Sequence, residues 1–232
     1  MVDKLEISNK ELEQFAYVAS HDLREPLRMI TSFLQLLKIK SEDNLDENAN
    51  DYINYAVDGA KRMDVMINDL LEYSRIGSQE RKFEYLLAED IVDTVLTNLK
   101  TLIEEKNAIV IYDPLPLIYA NEYQMVQLFQ NLITNGIKYC SKKIPRINIS
   151  AIVKDDEYVF SVRDNGIGID KANLKRIFTI FQRLHTRDEY DGTGIGLAIS
   201  KKILQKHRGK IWAESEPGKG TTFYFTLPNY SY

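Results

Sequence analysis

Two apolar stripes of helical period open the chain. From Leu12 to Leu37, apolar residues recur every three or four positions, at Ala16, Ala19, Leu23, Leu27, Ile30, Leu34 and Leu37. A second stripe runs through Ile53, Ala56, Ala60, Met63, Ile67 and Leu70. Both alternate steps of three and four, the spacing that keeps residues on one face of a helix. Ser41-Glu42-Asp43-Asn44 separates them and reads as a turn. Two amphipathic helices joined by a short turn make an antiparallel hairpin. One hairpin cannot bury both stripes, whereas two can pair as a four-helix bundle, so the spacing predicts a homodimer.

After Arg75 the pattern changes. Ile76-Gly77-Ser78-Gln79-Glu80-Arg81-Lys82 is polar and glycine-containing, and reads as a linker. A helical stretch follows over Glu89 to Glu105. β-branched and aromatic runs predict strands at Ile109–Tyr112, Leu117–Tyr119, Arg146–Val153, Tyr158–Arg163, Lys210–Ala213 and Thr222–Leu227. Further helices are expected over about Glu122 to Tyr139 and Ile195 to His207. The fold class is therefore α+β, with a helical hairpin over 1–76, a linker over 77–84 and an α/β sandwich over 85–232.

Composition narrows the function. The formal net charge of −4 disfavours nucleic acid as a partner, and no apolar run reaches the roughly 20 residues that span a membrane. The single Cys140 excludes an internal disulfide, and a cytoplasmic setting is expected.

Four polar motifs in the second domain carry candidate chemistry. Asn131, Asn135 and Lys138 are spaced by four and three and share one helix face. Amide oxygens suit Mg²⁺ and a lysine suits phosphate; alone, the trio reads rather as an exposed polar face. Asp164-Asn165-Gly166-Ile167-Gly168 ends a strand, where glycines allow close backbone approach and a carboxylate can accept from an amine. Alone, it is a tight turn with a capping Asp. Gly192-Thr193-Gly194-Ile195-Gly196-Leu197 opens a helix, whose first N–H groups favour an anion. No βαβ unit surrounds it, so it is not a dinucleotide fingerprint. Gly218-Lys219-Gly220-Thr221-Thr222 reads by itself as a hairpin turn. Between the second and third motifs lie Phe178 and Phe181, three apart.

In the first domain, His21-Asp22-Leu23-Arg24-Glu25-Pro26-Leu27 interrupts the stripe. At about 100° per residue His21 stands roughly 160° from Leu23, on the exposed side. Taken in order, these six motifs resemble the sensor histidine kinases of two-component systems, and within them the phytochrome-type group. The resemblance implies a dimerisation and phosphotransfer hairpin followed by a Bergerat-type ATP-binding domain. By matching position it implies His21 as phospho-acceptor and Asp22 as the acid that orients its imidazole. It implies Asn135 as a Mg²⁺ ligand, Lys138 as a phosphate contact and Tyr139 beside the nucleoside. Asp164 would read the adenine amino group between Gly166 and Gly168, and Thr222 would sit deep in the base pocket. Asn131, Phe181, Gly192, Thr193, Gly194, Ile195, Gly196 and Leu197 complete the implied ATP-binding set. The implied cofactors are ATP and Mg²⁺, and the implied partners are a second copy and a response regulator receiver domain. Two rivals remain open at this point: an ATPase of the same fold, and a non-catalytic nucleotide-binding scaffold. ATPases of this fold carry a water-activating Glu where Asn131 stands, and a neutral amide is a far poorer base.

Overall fold

The computed structural model describes residues 22–39, 47–76, 82–140, 143–184, 190 and 192–230. His21, the turn at Ser41–Asn44 and most of the linker lie outside them. The chain divides into two compact units, residues 1–78 and 79–232.

In the first unit, residues 22–39 form helix α1 and Glu47–Arg75 form α2. Leu27 packs with Ala60 and Ile67, and the Lys38 ammonium donates to the Asn54 amide oxygen at 2.9 Å. Early residues of α1 thus meet late residues of α2, so the hairpin is antiparallel, as the stripes predict. Only part of each stripe is covered by the other helix. Ile53 and Ile67 are buried within the hairpin, whereas Leu23, Ile30, Phe33, Leu37 and Met63 are exposed.

In the second unit, five strands form a mixed sheet in the order β2-β4-β5-β7-β6. They are β2 (Ile109–Tyr112), β4 (Arg146–Lys154), β5 (Glu157–Asp164), β6 (Ile211–Glu216) and β7 (Gly220–Pro228). Strand β2 runs parallel to β4, and every other pair is antiparallel. Helices α3 (Ala88–Asn98), α5 (Glu122–Lys138) and α6 (Gly196–Lys206) complete the sandwich, α5 against β4 and β5 and α6 against β6 and β7. Alternation along the strands sends Phe160, Val162, Phe223 and Phe225 into the shared core. There Phe160 and Phe225 stack at 4.8 Å, and Phe129 of α5 meets both edge-on.

Two elements depart from the sequence reading. The helix expected over Glu89 to Glu105 is divided at Leu99, between α3 and α4 (Lys100–Lys106). Leu99 has ψ of 5° and its side chain is buried, so the bend turns it inward while α4 buries no residue fully. A strand also forms where the linker was expected to end. Strand β1 (Glu84–Leu87) pairs antiparallel with β3 (Leu117–Ala120), in the register Glu84 with Ala120 and Leu87 with Leu117.

Candidate functional site: a carboxylate-floored pocket at the ends of two helices

Helix α5 is fixed at both ends by its sequence. Asn121 caps it, its side-chain oxygen accepting from the Gln124 N–H at 3.1 Å. Glu122 in the first turn and Lys138 in the last suit the helix dipole. Leu128, Leu132, Ile133 and Ile137 bury one face, which leaves Asn131, Asn135 and Lys138 together on the half-buried other face. At Gly136 the helix rests on the sheet: an added Cβ would stand 3.0 Å from Ile147 and 3.1 Å from Asp164. That contact brings the end of α5 against the end of β5.

A pocket opens there, with about 600 Å³ of empty space including its mouth. Asn135 and Tyr139 of α5, Asp164 of β5, Ile167, Gly168 and Ile169 of the following loop, Leu197 of α6, and Thr221 and Phe223 of β7 line it, with Ile177, Gln182, Arg183 and Leu184. Asp164 is the carboxylate among them. Its Oδ1 accepts from the backbone N–H of Gly166 at 2.8 Å and of Thr221 at 3.0 Å. Among the described residues, nothing donates to Oδ2. Burial pushes the carboxyl up from the ordinary Asp range, against the opposing pull of those two N–H bonds.

The wall beside Asp164 is backbone, held by backbone. The Ile167 N–H donates to the Tyr139 carbonyl at 2.9 Å, and the Gly218 N–H to the Ile167 carbonyl at 2.7 Å. The Ser215 hydroxyl accepts from the Ile169 N–H and donates to the Gly220 carbonyl, both at 2.8 Å. Gly168 has φ of +73°, and an added Cβ would fall 2.1 Å from the Glu216 carbonyl oxygen. No other residue fits there without moving the wall.

Helix α6 starts beside this pocket without a side-chain cap. The Asn131 amide nitrogen donates to the Gly196 carbonyl at 3.2 Å, tying the start of α6 to the polar face of α5. The Lys138 ammonium lies 3.2 Å from the Tyr139 hydroxyl, and an added Cβ on Gly192 would stand 2.7 Å from that nitrogen. The glycine-rich segment therefore passes directly over the end of α5.

The structure gathers Asn135, Tyr139, Asp164, Gly168 and Leu197 around one pocket, with Gly166, Asn131, Gly196, Lys138 and Gly192 at its margins. Gly194, with φ of +75°, packs against Gln182 and Arg183 of the lining, and the Thr193 hydroxyl accepts from the N–H of buried Ile195. Phe181 is 55% exposed and is not a lining residue. Thr222 is likewise not a lining residue: it pairs with Arg163 and Glu214, and Thr221 and Phe223 take the place expected of it. The correction is one of strand phase, since adjacent residues of β7 point to opposite faces. Sequence reasoning also missed Ile167, Ile169, Ile177, Gln182, Arg183, Leu184 and Phe223, which line the pocket. The only signal for them was their place beside the motifs. In the first unit, Asp22 is exposed on α1.

The fold and site together define a helical hairpin joined to a nucleotide-type sandwich. Comparison with known families gives the class a name. Residues 11–79 match the His Kinase A (phospho-acceptor) domain, and residues 120–231 match the Histidine kinase-, DNA gyrase B-, and HSP90-like ATPase domain. The chain belongs to the sensor histidine kinases, of which it carries the catalytic core. It is 53% identical over 224 residues to Cyanobacterial phytochrome A of a Nostoc species, and 49% identical over 224 residues to Phytochrome-like protein Cph1 of a Synechocystis species. Each match covers 97% of this chain but only 29% and 30% of those proteins. Sensor histidine kinase WalK of Bacillus subtilis is 32% identical, covering 98% of this chain and 38% of that protein. Among solved structures, full-length ShkA in complex with AMPPNP aligns with a TM-score of 0.69 and 25% identity, over 93% of this chain and 45% of that one. No helix among the described residues is long and apolar enough to cross a membrane.

Proposed function

We propose that this chain binds MgATP, transfers the γ-phosphoryl group to His21, and passes it on to an aspartate of a response regulator receiver domain. The observation that carries the proposal is Asp164: it lines the pocket, one carboxylate oxygen is engaged twice by backbone N–H groups, and no described residue donates to the other. An adenine amino group supplies the missing donor, and Gly166 and Gly168 let the ring approach the backbone. Thr221 and Phe223 bound the base, in the role first expected of Thr222.

Phosphate binding follows from the other side of the pocket. The first N–H groups of α6 have no side-chain cap and suit an anion. Lys138 and the Gly192–Gly196 segment lie beside them. Asn135 lines the pocket, and its amide oxygen would hold Mg²⁺, which would supply charge neutralisation to the phosphates. In the transfer, an imidazole nitrogen of His21 forms a bond to the γ-phosphorus as the bridging P–O bond breaks, and ADP leaves with that oxygen. Asp22, holding the other ring N–H, keeps the attacking nitrogen unprotonated. Asn131 supplies no general base for water, and its amide nitrogen is already bonded to Gly196, so hydrolysis does not compete.

A homodimer belongs to the same proposal. Leu23, Ile30, Phe33, Leu37 and Met63 leave a face of the hairpin apolar and exposed, which suits the matching face of a second copy. The test of the site is incubation with γ-labelled ATP. Asn135→Ala is expected to abolish labelling while the protein remains folded by circular dichroism. Retained labelling at saturating MgATP would remove Asn135 from the metal role.

A further inference from the structure

At the far ends of α5 and α6, away from the pocket, a buried histidine joins three segments. His207 follows the last turn of α6 and is 4% exposed. Its Nδ1 stands 2.8 Å from the Ile203 carbonyl of its own helix, an acceptor only, so Nδ1 carries the proton. Its Nε2 then accepts from the backbone N–H of Asn121 at 3.1 Å. Asn121 is the N-cap of α5, and that N–H is one a helix cannot satisfy itself. The Asn121 side chain is also committed twice: its oxygen accepts from Gln124, and its nitrogen donates to the Lys82 carbonyl at 2.9 Å. Phe83, the next residue, places its ring 4.7 Å from the imidazole. The segment that enters the second unit, the start of α5 and the end of α6 therefore meet on one side chain.

We infer that His207 is a positioning residue for nucleotide binding. The two helices it joins pack side by side and are rigid, α5 about 25 Å long and α6 about 16 Å. The last turn of α5 and its C-cap supply Asn135 and Tyr139 to the pocket, and the first turn of α6 supplies Leu197. A tie at one end of a pair of rigid rods sets their separation at the other, where a second tie, Asn131 to Gly196, is a single bond. Only a side chain that donates and accepts at once satisfies both Ile203 and Asn121. Losing it strands the buried Asn121 N–H, while the Ile203 carbonyl keeps only the backbone N–H of residue 207, and the helices relax apart to let water in. Because Lys82 and Phe83 grip the same junction, a displacement of the incoming segment reaches the pocket through it.

The inference rests on the nucleotide-site reading above, and one experiment separates the two. Affinity for a fluorescent trinitrophenyl analogue of ATP is measured on the full chain at a temperature where each variant is folded. Wild type that does not bind would overturn the nucleotide reading itself. Given wild-type binding, His207→Phe keeps the ring beside Phe83 but loses both hydrogen bonds, and is expected to weaken affinity about fivefold. His207→Gln can donate to Ile203 and accept from Asn121, and is expected to stay within about twofold. His207→Phe that binds like wild type, or equal losses in both variants, would overturn the inference. Should His207→Phe not fold, His207→Asn carries the test, since its amide is too short to hold Ile203 and Asn121 at once. It is expected to weaken binding about threefold, and unchanged affinity overturns the inference.

Discussion

The hairpin and the ATPase domain bury their apolar residues to different degrees, although both are rich in them. In the ATPase domain, Phe129, Phe160 and Phe225 are fully buried against one another. In the hairpin, Leu23, Ile30, Phe33 and Leu37 remain 54%, 49%, 63% and 48% exposed. The first region closes a core with its own strands and helices. The second has the residues for a core and too few walls. A domain of the first kind folds by itself and specialises at one end, where polar groups gather. A domain of the second kind leaves an apolar face for another molecule to cover, and the proposed homodimer would make its state depend on concentration.

The sharpest way to break this contrast is to open the closed core. Phe160→Ala removes the centre of the stacked ring cluster and is expected to cost about 3–5 kcal/mol. The single tryptophan, Trp212, lies on β6 and so reports this domain alone. Its fluorescence should show a much earlier urea midpoint. An unchanged midpoint would deny the sandwich its independent core.

The complementary change is made in the open region. Ile30→Glu places a charge on the exposed hairpin face of both copies, and should weaken association by about 3 kcal/mol or more per dimer, two side chains being lost. Light scattering should move from twice the chain mass toward one at micromolar concentration, with the Trp212 transition unmoved. Wild type that scatters as one chain throughout that range would refute the dimer.

Asp164 sharpens the contrast inside the closed domain, because function there opposes stability. Its carboxyl is raised in the folded state, so its contribution to stability is full below the ordinary Asp value near 3.8 and is lost as pH rises through the folded value. At neutral pH the charged form is a cost. Asp164→Asn should leave the nucleotide-free protein as stable or more so, while nucleotide affinity falls roughly 10- to 100-fold with the loss of about 1.5–3 kcal/mol of charged hydrogen bond. Unchanged affinity would show that Asp164 does not read the base.

The smallest expected effect is the titration of His207. Burial, with the nearby Lys206 charge adding to it, holds its pKa below the ordinary value of 6.5, against the pull of the Ile203 carbonyl. Between the folded value and 6.5 the unfolded chain binds more protons. Stability is therefore complete above about pH 6.5 and declines as pH falls through that window, by at most about 1.4 kcal/mol per pH unit. Urea midpoints of wild type should fall between pH 6.5 and 5.5, and those of His207→Gln should change less. Parallel pH profiles would exclude His207 as the source.

What was legible in the chain follows the same contrast. Periodic patterns were read well: both hairpin helices, and strands β2 to β7, stand where the spacing and the β-branched runs place them. Strand β1 was not, because Glu84-Tyr85-Leu86-Leu87 has no β-branched residue to mark it, and its partner β3 lies some thirty residues on. The break at Leu99 escaped because its cause is the burial of one side chain, which no local propensity records. In the site, Asn135, Tyr139, Asp164, Gly168 and Leu197 were found through their motifs, while most of the remaining lining was not, since Ile169, Ile177 and Phe223 look like any core residue. Thr222 stood in for Thr221 because a Thr-Thr pair gives no hint of which side chain turns inward. His207 carried no motif of its own; its role depends on Asn121, 86 positions away.

The central claim is that the closed domain delivers a phosphoryl group to a histidine on the open one. Incubation of wild type and His21→Ala with γ-labelled ATP, followed by acid and base treatment of the labelled protein, tests it most directly. The account predicts label on wild type that is acid-labile and base-stable, approaching one phosphate per chain, and none on His21→Ala. Label that persists in His21→Ala, or continuous release of inorganic phosphate without labelled protein, would contradict it.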